Sequence, residues 1–358
     1  MKSESITDYL KVKAERVNVE IKKYLTDRAS QRYLESLLGR SGYEYDKEAI
    51  NRAVLEPSKY LLELGGKRWR STLMLTVIDA LGKNSDDYIE FSIIPEVVHN
   101  GTLIHDDIED GSAMRRGSEA VHRKYGLDVA LNLGDFMFYF PIIALLDSKK
   151  VDREVKMNML EVYQREMLKL SIGQATDIAW HRGLVKLKDV SEMQYMQTAY
   201  SKTGVLSSMA AKMGAVLCGA EKKVVEAMGM FGASIGVAFQ LQDDILNLNE
   251  NGLSELKGGV GEDVTEGKVT LLMIKTVELA DQNDREKLIA ILDSHTKDGE
   301  RIKEAIAIVK RYKAEDYIKE LEWKILRDAW AKVDRQIPDS PSKKKLKEMA
   351  EFLINRNI

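Results

Sequence analysis

Two acid-rich stretches, His105-Asp106-Asp107-Ile108-Glu109-Asp110 and Gln240-Leu241-Gln242-Asp243-Asp244-Ile245-Leu246-Asn247, follow apolar residues and lie well over a hundred residues apart. A carboxylate is costly to desolvate unless a cation or a proton neutralises it, so acid clusters in such company point to multivalent cations. On a helix, Asp106 and Asp110 share a face about 6 Å apart along the axis, with His99 two turns earlier on the same side. Gln240, Asp243, Asp244 and Asn247 follow the i, i+3, i+4, i+7 rule and make one polar stripe. Oxygen ligands with no cysteine and a single histidine nearby favour Mg²⁺ or Mn²⁺ over zinc. Magnesium keeps several waters and bridges carboxylates to substrate phosphates, which predicts a phosphate ester as substrate.

A cationic counterpart precedes the acids. Gly65-Gly66-Lys67-Arg68-Trp69-Arg70 opens an apolar helical run, so two glycines bring backbone amides and a helix start next to Lys67 and Arg70. That combination binds anions. Arg115-Arg116-Gly117 adds two guanidiniums that can grip phosphate oxygens in pairs. Each of these motifs alone also fits a solvated helix face or a plain turn, and it is their company that carries the reading.

The elements that must position them are helices. The 358 residues are 44% hydrophobic and include five prolines, none of them between Pro141 and Pro338. Apolar residues recur there at helical spacing, and alternating runs bounded by turn signals are scarce. The pattern predicts helices over about 5–25, 46–64, 68–82, 86–110, 117–147 with a break near Gly126, 151–182, and 188–219 with an irregularity at Gly204. It continues with 222–250, 268–282, 284–294, 298–312, 314–334 and 343–356. We therefore expect an all-α, single-domain helical bundle around a central cavity, spanning 1–358. Its motif-bearing core covers about 50–275, and the C-terminal helices about 284–356. The glycine-rich stretch 251–267 reads as an active-site lid or a surface loop.

A net charge of −3 gives no basic footprint for nucleic acid. The first residues carry no apolar signal core and 136–146 is too short to span a bilayer, so no transmembrane segment and a cytoplasmic protein are expected. The single cysteine, Cys218, excludes an intramolecular disulfide and reads as a buried structural thiol. His105, His122, His181 and His295 read as structural or surface residues.

With these motifs in hand, the sequence resembles the trans-polyprenyl diphosphate synthases. GGKRWR (65–70), LIHDDIED (103–110), RRG (115–117), KTG (202–204), FQLQDDILN (239–247) and GEDVTEGK (261–268) stand in the family's order and at similar intervals. The resemblance implies an isoprenoid synthase-like fold and condensation of isopentenyl diphosphate with an allylic diphosphate. It implies three Mg²⁺ ions on Asp106, Asp110 and Asp243, supported by Asp107 and Asp244. Lys202, Lys268 and Arg115 would hold the allylic diphosphate, and Thr203 and Gln240 would lie near the carbocation. Lys67, Arg70, His99 and Arg116 would hold isopentenyl diphosphate without metal, and a homodimer would form. Three positions depart from the family pattern: Ser71 stands where proline is common, Asn247 where many members have Asp, and Lys257 falls slightly out of register for its phosphate-binding role.

Small residues at Gly101 and Thr102, one turn before Asp106, imply room for a long tail, hence geranylgeranyl diphosphate, with farnesyl or longer products as alternatives. A terpene cyclase or head-to-head synthase also uses acid-rich helices, but has no second diphosphate for residues 65–70 to hold. A noncatalytic synthase subunit is the reading from another class, and the intact paired motifs count against it.

Overall fold

The computed structural model describes residues 5–248 and 261–355; Lys257 and most of the expected 251–267 loop lie outside them. Among the described residues every regular element is a helix except for one hairpin, in which Met114 pairs with Glu119 and Arg115 with Ser118. Arg116 and Gly117, both in the left-handed region at φ 52° and 77°, close that hairpin. Two successive left-handed residues are what a tight two-residue hairpin turn needs.

The centre is built from helices whose small residues let backbones touch. Val205–Leu217 is buried along its whole length. A Cβ on Gly232 would stand 2.4 Å from the Ser207 carbonyl oxygen, and one on Gly214 2.8 Å from that of Met74. Glycine there is therefore a packing requirement, and it draws Lys222–Asn247 and Trp69–Ala80 onto the central helix. Ile93–Glu109, Leu127–Tyr139 and Arg153–His181 enclose one side, while Ala314–Asp334 and Pro341–Ile354 cover the other. A second, smaller apolar layer backs the end of Lys222–Asn247, where Leu241 and Ile245 meet Leu271, Leu288, Ile308 and Ile318. Ser5, Ser30, Asp152, Thr270, Asp281 and Ser340 cap their helices by accepting an amide N–H three residues on.

Several boundaries differ from the periodicity. The predicted 117–147 helix is broken into the hairpin, Val121–Tyr125, Leu127–Tyr139, a 3₁₀ turn at Phe140–Ile142 containing Pro141, and Ile143–Asp147. Gln31–Leu38 is an extra helix, and eight residues are too few to show a period. Two π-helical turns, Asn51–Leu55 and Tyr200–Gly204, sit inside longer helical stretches, the second at the irregularity expected around Gly204. Two stretches, Leu127–Asp147 and Lys222–Asn247, are long and apolar enough to cross a bilayer by length and composition, the first of them longer than the 136–146 run read from the sequence. The second is mostly buried inside the bundle.

Candidate active site

The site begins at the C-terminal end of Ile93–Glu109, where Asp106 and Asp110 meet two lysines from distant segments. Lys202 belongs to the π-helical turn, and Gly173 allows Arg153–His181 to press against it: a Cβ there would lie 2.6 Å from the Lys202 amide nitrogen. Lys202 consequently reaches both Asp177 (2.6 Å) and Asp106 (3.2 Å). Gln174, one turn before Asp177, donates from Nε2 to Asp106 (2.9 Å) and also to Glu109. Lys268 lies 2.5 Å from Glu266, 3.3 Å from Asp110 and 4.0 Å from Asp263.

Five carboxylates, those of Asp106, Asp110, Asp177, Asp263 and Glu266, thus face two ammonium groups. Burial pushes the Asp106 carboxyl up, but Lys202, Lys268 and Arg115 outweigh it and hold it down at about 2. Burial opposes the charge on Lys202 as well, yet Asp106 and Asp177 keep its ammonium protonated far above the usual lysine range. Glu266 goes the other way: burial raises it to about 7 despite Lys268. As the side chains stand, the lysines sit among the carboxylates, and among the described residues no group of three or more acids, histidines or cysteines is gathered as a ready metal cage.

Asp107 points elsewhere. It is 1% exposed and accepts from the Arg115 guanidinium at Nε (2.9 Å) and at Nη2. Burial raises its carboxyl and Arg115 partly reverses this. The hairpin accounts for the division of labour between the two arginines: Arg115 ends its first strand, whereas Arg116 lies in the left-handed turn at φ 52°, so the two side chains leave in different directions. Arg115 turns to Asp107, and Arg116 to the carbonyl oxygen of Gly65.

The second acidic helix presents a hydrogen-bonded chain. The Thr203 hydroxyl donates to Gln240 Oε1 (2.9 Å), Gln240 Nε2 donates to Asp244 Oδ1 (2.8 Å), and the Tyr195 hydroxyl donates to Asp244 Oδ2 (2.6 Å). Both Asp244 oxygens are engaged, and burial, then Asp263, pushes its carboxyl up to about 8. Asp243 stands beside it, partly exposed. Asn247 Oδ1 accepts the Asp263 amide (3.2 Å), while its carbonyl accepts that of Gly261 (3.0 Å). Its visible task is to tie the 261–268 segment to the helix end.

The cationic pocket sits two turns along the first acidic helix, at His99. Gly65 and Gly66, at φ 95° and 135°, turn the chain so that Arg68 plunges inward. Its buried guanidinium binds Glu96 (2.9 Å), Asn18 (2.8 Å) and the Leu62 carbonyl (2.7 Å). A Cβ on Gly66 would stand 2.9 Å from Arg68 and 3.1 Å from Arg116, so glycine lets both guanidiniums close in. Arg70 lies 4.5 Å over Trp69, which stacks on Phe239 at 5.4 Å, the residue just before Gln240. Burial first, then Arg70, Arg116, Arg115 and Arg68, pushes the His99 imidazole well below its usual range. A neutral imidazole amid four guanidiniums suits a multiply charged anion. Lys67 is exposed at the rim.

Sequence reasoning missed Gln174, Asp177, Tyr195 and the buried Arg68–Glu96 pair as parts of this arrangement. Gln174 and Asp177 carried one signal, polar residues at i and i+3 beside the small Gly173 in a long helix. Gly101 also differs from expectation. A Cβ there would meet Met137 Cβ and Phe138 Cε1 at 3.0 Å and the Gly134 carbonyl at 3.1 Å, so it faces Leu127–Tyr139.

A helical bundle that sets an over-acidic cluster and a guanidinium pocket along one helix defines an enzyme for phosphorylated substrates, bound in two chemically unlike places. The chain belongs to the polyprenyl synthetase family, whose profile matches residues 51–309, and it is a trans-prenyltransferase. It is 34% identical over 303 residues, 85% of this chain and 90% of the relative, to a short chain isoprenyl diphosphate synthase of Methanothermobacter thermautotrophicus. A geranylgeranyl diphosphate synthase of Sulfolobus acidocaldarius is 32% identical over 84% of this chain and 90% of its own. The crystal structure of geranylgeranyl pyrophosphate synthetase from Pyrococcus horikoshii Ot3 superposes with a TM-score of 0.83 at 27% identity, covering 98% of both chains.

Proposed function

We propose that the protein joins isopentenyl diphosphate to an allylic diphosphate, with geranylgeranyl diphosphate as the main product. One observation carries this reading: Asp106 lies among carboxylates and lysines, whereas His99, about 10 Å away along the same helix, lies among guanidiniums. The reaction needs such a difference. One diphosphate must leave, and the other must be held without being activated.

The excess of carboxylates over ammonium groups in a partly buried site fits divalent cations. Asp106, Asp110 and Asp243 would hold three Mg²⁺ ions, with Mn²⁺ as the alternative, while Asp107 and Asp244 act in support through Arg115 and Gln240. Bound there, the metal supplies positive charge that stabilises the departing diphosphate. Lys202 and Lys268, now bonded to carboxylates, turn to the allylic phosphate oxygens, and Arg115 adds its charge from beside Asp107. Thr203 and Gln240 place hydroxyl and amide dipoles near the carbocation, which they stabilise without capturing. Lys67, Arg70, His99 and Arg116 hold isopentenyl diphosphate. Its alkene electron pair forms the new carbon–carbon bond as the allylic C–O bond breaks, and the proton lost afterwards goes to the released pyrophosphate.

The test is a steady-state assay with labelled isopentenyl diphosphate, an allylic diphosphate and Mg²⁺, resolving products by chain length. Arg70→Ala is expected to raise KM for isopentenyl diphosphate about tenfold or more and to leave that for the allylic substrate nearly unchanged, with the reverse for Lys202→Ala. Equal effects of both substitutions on both substrates would overturn the two-pocket assignment.

The reading extends to a homodimer. Leu131, Tyr139 and Leu146 are exposed on Leu127–Asp147, and Met157, Leu168 and Ile172 on Arg153–His181. The Tyr163 hydroxyl, donating to the Phe138 carbonyl, and Lys156 Nζ, 2.7 Å from the Leu146 carbonyl, join the two stretches side by side. An apolar face of this extent suits a two-fold contact. Light scattering should return twice the chain mass, and Leu168→Glu combined with Ile172→Glu should shift it toward the monomer.

A further inference from the structure

Lys268 is carried by a segment that cannot hold itself in place. Glu262–Glu266 is a five-residue helix with no side-chain cap at its start, and Gly267 ends it at φ 66°. A helix this short is not stable alone. Neighbours must fix the lysine over Asp110. On the entry side, Asn247 accepts the Gly261 and Asp263 amides.

On the exit side stands His295. It follows Gln282–Asp293 in a left-handed conformation, φ 45°, that non-glycine residues adopt at a cost. Its Nδ1 lies 2.9 Å from the Glu266 carbonyl oxygen. A carbonyl only accepts, so Nδ1 carries the proton. The ring fills the space left by Gly267, where a Cβ would be 2.6 Å from Cε1 and 2.8 Å from Nδ1. It also meets His181 edge-on, ring centroids 5.8 Å apart, and His181 is the last residue of the helix bearing Gln174 and Asp177. The imidazole is thus wedged between that helix and the turn that bears Lys268.

We propose that His295 is a positioning residue for Lys268: its N–H to the Glu266 carbonyl and its packing on Gly267 hold the 262–268 turn at the height from which Lys268 reaches Asp110 and the leaving diphosphate. A surface histidine some 27 positions downstream of the lysine thereby sets the geometry of the allylic site. The inference rests on the reading of Lys268 as an allylic-diphosphate ligand, and the experiment separates the two.

Full-length wild type, Lys268→Ala, His295→Ala and His295→Asn are compared by separate KM values for the two substrates and by thermal melts. Lys268→Ala raising the allylic KM supports the ligand reading; no change would overturn that reading and the inference with it. His295→Ala is expected to raise the allylic KM roughly tenfold, about the worth of one good charge-assisted contact, with the isopentenyl KM within about twofold of wild type. Asparagine tolerates the left-handed backbone and offers an amide donor at nearly the place of Nδ1, so His295→Asn should recover most of the loss. A merely structural role would lower the melting temperature and the active fraction and leave both KM values unchanged, because KM does not depend on how much enzyme is folded. That result, beside a Lys268→Ala variant with a raised allylic KM, would overturn the proposal for His295 alone.

Discussion

Asp106→Ala is expected to lower kcat about a thousandfold or more, and chelation of Mg²⁺ to abolish turnover. Asp106 lies where three elements meet, accepting from Gln174 and Lys202 while Lys202 also holds Asp177. Its ionisation is secured by those neighbours, so it enters the reaction as a carboxylate at any working pH. Removing it leaves Lys202 paired with Asp177 at 2.6 Å, so the ammonium is not stranded without a counter-charge. The loss should therefore fall on chemistry, with the melting temperature little changed. Asp243→Ala should behave alike. Asn247→Ala should cost far less in kcat, because its side chain accepts a backbone amide of the 261–268 turn. Steady-state rates at saturating substrates, with and without EDTA, decide the matter. Near-normal turnover in EDTA would remove the metal from the mechanism.

The contrast between Asp106 and Asp244 shows how far helical spacing alone reaches. Both acid clusters are visible in the sequence as stripes because that spacing fixes which residues share a face. Spacing does not say what stands opposite. Asp107 and Asp244 have the same motif position beside a neighbouring Asp, yet the first is consumed by Arg115 and the second by Tyr195 and Gln240. Arg115 comes from a hairpin and Tyr195 from a helix remote in sequence, whereas Gln240, one turn before Asp244 on the same helix, is the one partner the stripe itself contains. Arg115 and Arg116 read as a paired clamp; the hairpin parts them, and its two-residue strands are too short for alternation to register. Gln174 and Asp177 are hidden for a different reason: they lie singly in a long helix, and only Gly173 pressing on Lys202 makes them neighbours of Asp106. The π-helical turn that aims Lys202 is legible only as an irregularity at Gly204, since an extra residue in a helical turn leaves no compositional mark.

Gly101→Phe is expected to cripple folding, and Thr102→Phe to keep condensation activity while shortening the main product toward farnesyl diphosphate. Both residues are small and adjacent, and sequence reasoning assigns them one role. The backbone separates them. His99, Thr102, Asp106 and Asp110 lie at i, i+3, i+7 and i+11, one face of Ile93–Glu109, so Thr102 stands between the two charged centres, partly exposed, its hydroxyl bonded to the His99 carbonyl. Gly101 is turned by about 100° from that face. A Cβ there would stand 3.0 Å from Met137 and Phe138 and 3.1 Å from the Gly134 carbonyl, so even a methyl group obliges those neighbours to give by a few tenths of an ångström. Phe138 cannot easily retreat, because His105 stacks on it at 5.2 Å and its carbonyl holds Tyr163. Overpacking a close helix contact costs about 1–3 kcal/mol even for modest insertions, and a phenyl ring against backbone should exceed that. A ring at position 102 meets side chains and substrate instead, leaving the helix contact intact. Thermal melts of both variants and chromatography of dephosphorylated products provide the comparison with wild type. A Gly101→Phe protein that melts normally and makes the shorter product would show that Leu127–Tyr139 yields, and that the tail runs past Gly101.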